Sequence, residues 1–325
     1  MNKHLSPKRI PQGSQRERLI VETDFFDDVD DLGALALANV FADEGFIDLA
    51  AVSLNTPSIW GPRAVHVVNS YYGRDMVAIG EMRPSTRDLA ARDYAHYLAE
   101  LFPQATATFQ DSVALLRHTM AASPDHSVVL ASIGFYQNLV RLLDTGPDQI
   151  SPLRGKELVK RKVSRTVVMG GQYPRGREYN MALAPAMTKR FLAEWPMPTT
   201  FVGWEVGHDV ITGEAFRQPQ VSANPVAAAY LKYTEGQGRP SWDLIAMQIA
   251  VLGPGVDFCL SEAGRVIVSE DGTSSWESEE NGLHRYVRQI TDSAELACRL
   301  NRFLYSAPGC EHRQGHHASQ IIIDD

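Results

Sequence analysis

Leu19-Ile-Val-Glu22-Thr-Asp24-Phe-Phe-Asp-Asp28-Val-Asp30-Asp31 runs straight into Leu32-Gly-Ala-Leu35-Ala-Leu-Ala38-Asn-Val40. The β-branched run ending in one acid predicts a strand over Leu19–Thr23, with Asp24 just beyond its carboxyl end. The apolar segment after it places Leu35, Ala38 and Ala42 on one face, which predicts a helix over Asp30–Ala42. Asp30 and Asp31 then sit in its first turn, where the helix dipole favours anions. Six carboxylates fall between Glu22 and Asp31. They repel one another unless a cation lies among them, so the stretch reads as a hard-cation site beside a buried strand.

The same strand-then-helix rhythm continues outward. Strand patterns cover Phe46–Leu54, Ser127–Ile133, Arg165–Met169 and Thr199–Gly203, and helical patterns cover Pro62–Tyr72, Asn138–Leu143 and Ala184–Glu194. This alternation predicts an α/β fold: an open, mostly parallel central sheet with helices on both faces. Ligands of such sheets bind beyond the carboxyl ends of the strands. Asp24, Asn55, Gly134–Asn138 and Gly170–Asn180 each follow a predicted strand and should gather along one edge. Arg265–Val268 and Asp271-Gly272 suggest a late hairpin within a single domain of residues 19–308, between a leader (1–18) and a tail (309–325).

Composition narrows the function classes. The chain has 325 residues, 44% hydrophobic and 22% charged, enough for a large core. Its net charge of -8 argues against a general nucleic-acid surface. Cys259, Cys298 and Cys310 show no paired spacing and read as reduced thiols of a cytoplasmic protein. The leader is polar and lacks the apolar stretch of a signal peptide, and no apolar run is long enough to span a bilayer, so no membrane partner is expected. The tail carries Cys310, His312, His316 and His317 and reads as a flexible end.

Three chemistries compete for the acidic stretch. A calcium loop of the EF-hand kind starting at Asp24 would need Gly and Glu where Val29 and Leu35 stand, so it fails. An aspartyl-phosphate site would make Glu22 the nucleophile, one methylene too long. A divalent-cation site that activates water fits best, with Asp24 at the strand end and Asp30 and Asp31 pointing about 100° apart on the helix. A solvated helix cap with surplus acid is the plain alternative.

At these residues the chain resembles the inosine–uridine-preferring nucleoside hydrolase family. Its signature of Asp-x-Asp followed by Asp-Asp-Ala stands here as Glu22-Thr-Asp24 and Asp30-Asp31-Leu-Gly-Ala, with a longer loop between. The likeness continues in order with Asn55, Gly134-Phe-Tyr-Gln137-Asn138, Met169-Gly-Gly171, Glu178-Tyr-Asn180 and Trp242-Asp243. It implies a Ca²⁺ held by Asp24, Asp31, the carbonyl of Gln137 and Asp243, all oxygen ligands that suit a hard cation. Asp24 would serve as the catalytic base, and Asp30, Asn55, Met169, Glu178 and Asn180 would bind the sugar. The implied reaction is hydrolysis of a small-molecule nucleoside to free base and ribose, in purine or pyrimidine salvage, by a homodimer or homotetramer.

The departures bear on specificity. Trp242 takes the catalytic place where purine-active relatives carry a His, and indole donates no useful proton. Either Trp242 or Trp60 serves as an aromatic platform for the base, or His208, Tyr136 or Tyr173 supplies the proton. A binding protein that keeps the sugar contacts without catalysis, or a hydrolase of another riboside, is the alternative. The short loop before Glu178 has no match for the Asn that the family uses on the 5′ side; Arg175 and Arg177 stand there, solvated or suited to an extra anionic group. Ala184-Pro-Ala186 replaces Asp-Pro-Glu, which removes a helix cap.

Overall fold

Residues 16–25, 28–85, 93–103 and 108–309 are described by a computed structural model. Asp27, the leader to residue 15 and the tail from 310 lie outside them. Arg18 opens the first strand, and Glu17 pairs with Arg165 at 2.7 Å.

The strands are β1 (Arg18–Thr23), β2 (Asp48–Leu54), β3 (Ala78–Glu81), β4 (Gln110–Asp111), β5 (Val128–Ile133), β6 (Val163–Met169) and β7 (Arg175–Arg177). They continue as β8 (Thr199–Val202), β9 (Ile211–Thr212), β10 (Arg239–Pro240), β11 (Phe258–Leu260), β12 (Gly264–Val268), β13 (Thr273–Ser278) and β14 (His284–Gln289). Among the described residues, twelve of them form one sheet in the order β4-β3-β2-β1-β5-β6-β8-β14-β12-β13-β7, with β11 added on β14. The run from β4 to β14 is parallel. The expected hairpin is β12–β13, antiparallel, and it brings β7 onto the end of the sheet. β9 and β10 form a separate ribbon.

Alternate residues of β1 explain why both faces are covered. Leu19 and Val21 pack into one core cluster and Ile20 into a second, each built with helices. A strand whose period-two side chains are apolar on both faces must be buried on both. The first helix, Val29–Asp43, is buried on all sides and not only along the expected stripe. Its small residues allow that: a Cβ at Gly33 would come within 2.3 Å of the Tyr230 hydroxyl and 2.7 Å of Leu244. The helix Trp242–Leu252 can therefore lie closely against the first helix.

Register sets the position of the site. Thr23 pairs with Leu54 and with Ile133, and Met169 pairs with Val202, so the carboxyl ends of the central strands align. The residues that follow share one sheet edge, as ligand sites in open parallel sheets do. Among the described residues no helix is long and apolar enough to cross a membrane.

Candidate active site

Beyond that edge lies a cavity of about 610 Å³. Its lining includes Asp24, Asp30, Asp31, Met169, Glu178, Asn180, Trp242 and Asp243, eight of the residues expected in the site. Asp24 leaves the end of β1, and a glycine makes room for it: a Cβ at Gly134 would lie 2.5 Å from the Asp24 amide and 2.7 Å from its Oδ1. Asp28 caps the first helix. Asp30 and Asp31 occupy its first turn, and Asp243 occupies the first turn of Trp242–Leu252. The positive ends of two helix dipoles thus converge on the acids.

The carboxylates of Asp30, Asp31 and Asp243 offer oxygens that all lie within 4.8 Å of one another, and all three residues are buried. The Asp243 amide donates to Asp30 Oδ2 at 3.2 Å, and Thr23 Oγ1 donates to Asp31. Burial holds the carboxyls of Asp30, Asp31 and Asp243 well above their usual range, with repulsion from neighbouring acids adding to it. It also pushes Asp24 up to about 7, and Glu22, buried beneath it, up to about 8. These groups crowd a low-dielectric floor, and Arg239 pairs with the cluster's outer member, Asp28. Such a floor is relieved by protons or by a cation. An all-oxygen, buried, carboxylate-rich set could hold a hard metal ion and lacks the His or Cys that zinc would call for.

The other expected residues divide. Glu178 caps the short helix Tyr179–Leu183: its two oxygens accept from the amides of Asn180 (2.6 Å), Gly171 (2.9 Å) and Met181 (3.1 Å). Asn180 Nδ2 lies 3.3 Å from Met169 Sδ. Asn55 does not line the cavity; its Nδ2 donates to the Phe135 carbonyl at 3.0 Å, supporting the wall from behind. Gln137 opens the helix Gln137–Asp144, and the cavity wall there is Ile133 and Phe135. Ala184 starts the helix Pro185–Glu194 with no side-chain cap, as its substitution implies.

One side of the cavity is aromatic. Trp242 Nε1 donates to the Trp204 carbonyl at 2.7 Å, so its one proton is engaged. Trp204, Trp242, Tyr233 and Phe135 line the cavity, and the Arg239 guanidinium lies 5.3 Å from the Trp242 ring and 5.4 Å from the Tyr233 ring. Arg239 also grips Asp28 with two bonds, of 3.0 and 2.5 Å. The alternative proton donors stand elsewhere. His208 stacks behind Trp204, Tyr136 stacks on Phe191, and Tyr173 donates to the Gly170 carbonyl. None of the three lines the cavity, nor does Trp60, which packs on His96. Trp204, Tyr233 and Arg239 were not singled out from the sequence, because no local motif marks them and only the fold brings them to the cavity.

No protein-family model matches the chain. No curated protein is significantly similar to it in sequence. Solved structures do share its fold. A plant nucleoside hydrolase superposes with a TM-score of 0.66 at 16% identity, covering 89% of this chain and 99% of that one. The inosine-uridine preferring nucleoside hydrolase from Bacillus anthracis gives 0.64 at 14%, covering 89% and 99%. The type III effector protein XopQ, complexed with adenosine diphosphate ribose, gives 0.62 at 17%, covering 90% and 94%. The chain therefore has the nucleoside hydrolase fold, a fold found both in enzymes and in effectors.

Proposed function

We propose that this chain is a calcium-dependent hydrolase of the N-glycosidic bond of ribonucleosides, releasing free base and ribose. The observation that carries the proposal is the buried trio Asp30, Asp31 and Asp243 beside Asp24 in one cavity. Asp24, Asp31 and Asp243, with the main-chain carbonyl of Gln137, are the residues that would hold the ion. Bound there, Ca²⁺ would offset the carboxylate charge and make a water more acidic. Asp24 accepts the proton as the water oxygen bonds to the anomeric carbon. The bond to the base breaks, its electron pair leaves with the base, and positive charge spreads over the sugar ring oxygen and anomeric carbon. The acidic floor is in place before that charge forms and stabilises it. Asp30 and Asn180 orient the ribose hydroxyls, with Glu178 holding Asn180 in place through its amide. Trp204, Trp242 and Tyr233 form a stacking wall for the base.

One observation favours a second reading, a ribose- or riboside-binding protein without turnover. The Trp242 indole proton is already donated to Trp204, and among the described residues no His lines the cavity. A reducing-sugar assay over a nucleoside panel separates the two. Chelator-sensitive ribose release, lost in Asp24→Asn with the fold intact, supports the hydrolase. Tight ribose binding with no release from any nucleoside refutes it in favour of the binder.

A further inference from the structure

A furanoside leaves its pocket in three directions: the diol edge, the base and the C5′ arm. In this cavity the acidic floor suits the diol and the aromatic wall suits the base. The remaining lining includes Met169, Arg177, Glu178, Tyr179 and Asn180, of which Arg177 is the cation. Arg177 ends β7, is exposed, and lines the cavity next to Glu178. Its Nε donates to the Asp271 carbonyl at 3.0 Å, which anchors the guanidinium at one nitrogen. Among the described residues its terminal nitrogens make no hydrogen bond or ion pair. The Asp271 carboxylate nearby accepts from Ser269 Oγ at 2.5 Å and from the Thr273 amide at 3.0 Å, both at Oδ1, and it feels the Arg177 charge without a salt bridge to it. Glu178 on the same wall has both oxygens turned to backbone amides. The other cation of the lining, Arg239, is tied to Asp28. Arg177 is therefore an exposed, cavity-lining cation whose terminal nitrogens carry no salt bridge among the described residues.

We infer that Arg177 reads a phosphoryl group on the C5′ oxygen, so that the preferred ligand is a 5′-phosphorylated riboside and not the free nucleoside. The inference rests on the riboside reading of the same site. A planar guanidinium anchored at Nε presents its outer nitrogens as a fork, the geometry that suits a phosphate.

Calorimetric titration of ribose and of ribose 5-phosphate, each in CaCl₂ at fixed ionic strength, tests it. The full chain should bind the phosphorylated sugar about tenfold more tightly, the scale of one or two charge-assisted hydrogen bonds. In Arg177→Gln that preference should fall below about threefold, and in Arg177→Lys, which keeps charge but loses the fork, it should be intermediate. Arg175→Gln, on the same strand but off the cavity, should keep the full preference. Equal affinity for the two sugars in the unaltered chain would overturn the inference while leaving the riboside reading intact. A preference that survives Arg177→Gln, or falls equally in Arg175→Gln, overturns the assignment to Arg177. Failure of both sugars to bind in the presence of calcium overturns both readings together.

Discussion

Calcium should stabilise this chain more as the pH rises, and Asp243→Asn should remove most of that rise. The direction follows from the buried acids. Burial lifts Asp24 from 3.8 to about 7 and Glu22 from 4.5 to about 8. A carboxyl whose folded pKa is raised contributes stability fully below its unfolded pKa, and loses it as pH climbs through the folded value. Without a cation, the floor therefore weakens the fold between about pH 4 and 8. Calcium replaces the protons, so its apparent affinity rises over the same window. For each proton displaced, the stabilisation grows by ~1.4 kcal/mol per pH unit. The unfolding entropy is roughly 2.1 cal/mol/K per residue. Over 325 residues that is about 0.7 kcal/mol/K, so one displaced proton adds about 2 °C of calcium-induced Tm shift per pH unit. Scanning calorimetry in millimolar CaCl₂ against EDTA, from about pH 5.5 to 7, should show the shift growing by about 3 °C. A shift that is flat or shrinking with pH would refute the proton–cation competition. An undiminished shift in Asp243→Asn would refute the ligand set.

Other outcomes follow from particular contacts. With the Trp242 proton engaged, cleavage should depend on how well the leaving group departs unaided; kcat/KM for 4-nitrophenyl riboside should exceed that for uridine by about 100-fold or more. A ratio near one would reveal a proton donor on the base side. Gly134→Ala puts a methyl group 2.5 Å from the Asp24 amide, and turnover should fall by roughly 100-fold while circular dichroism stays unchanged; normal turnover would show that Asp24 does not need its present position. Burial lowers the His284 imidazole from 6.5 to about 4, while its Nδ1 accepts from the Val266 amide at 3.0 Å. Its depressed pKa means that stability is present above 6.5 and lost as pH falls through 4, by about 3 kcal/mol in total. Urea unfolding of His284→Asn should lose about that much less between pH 7 and 4; identical pH profiles would count against a buried neutral imidazole.

Much of the architecture was legible because it is encoded locally. The predicted strand Leu19–Thr23 is β1 with one residue added, and the predicted helix from Asp30 begins at Val29. Local periodicity also places Asp24, Asp30 and Asp31 correctly on the strand end and helix start. What it cannot supply is the neighbour across the cavity. Trp60 has the right chemistry for a platform, yet its helix turns it onto His96. Tyr136 and Tyr173 follow the correct strands, but their rings pack into the second core cluster and do not line the cavity. Asn55 follows β2 as expected and then supports Phe135 instead of reaching the cavity.

From residue order alone came the alternation of strands and helices and the rule that ligands meet the strands' carboxyl ends. Side-chain period and helix-start chemistry act over a few residues, so they survive being read without coordinates. The meeting of Asp243 with Asp30, of Arg239 with Asp28, and of the Trp242 indole with Trp204 joins segments separated by 213, 211 and 38 positions. Those encounters depend on how closely two helices pack, which small residues such as Gly33 permit, and on the register that brings strand ends level. Only the folded chain decides them, because packing distance is a property of both surfaces at once.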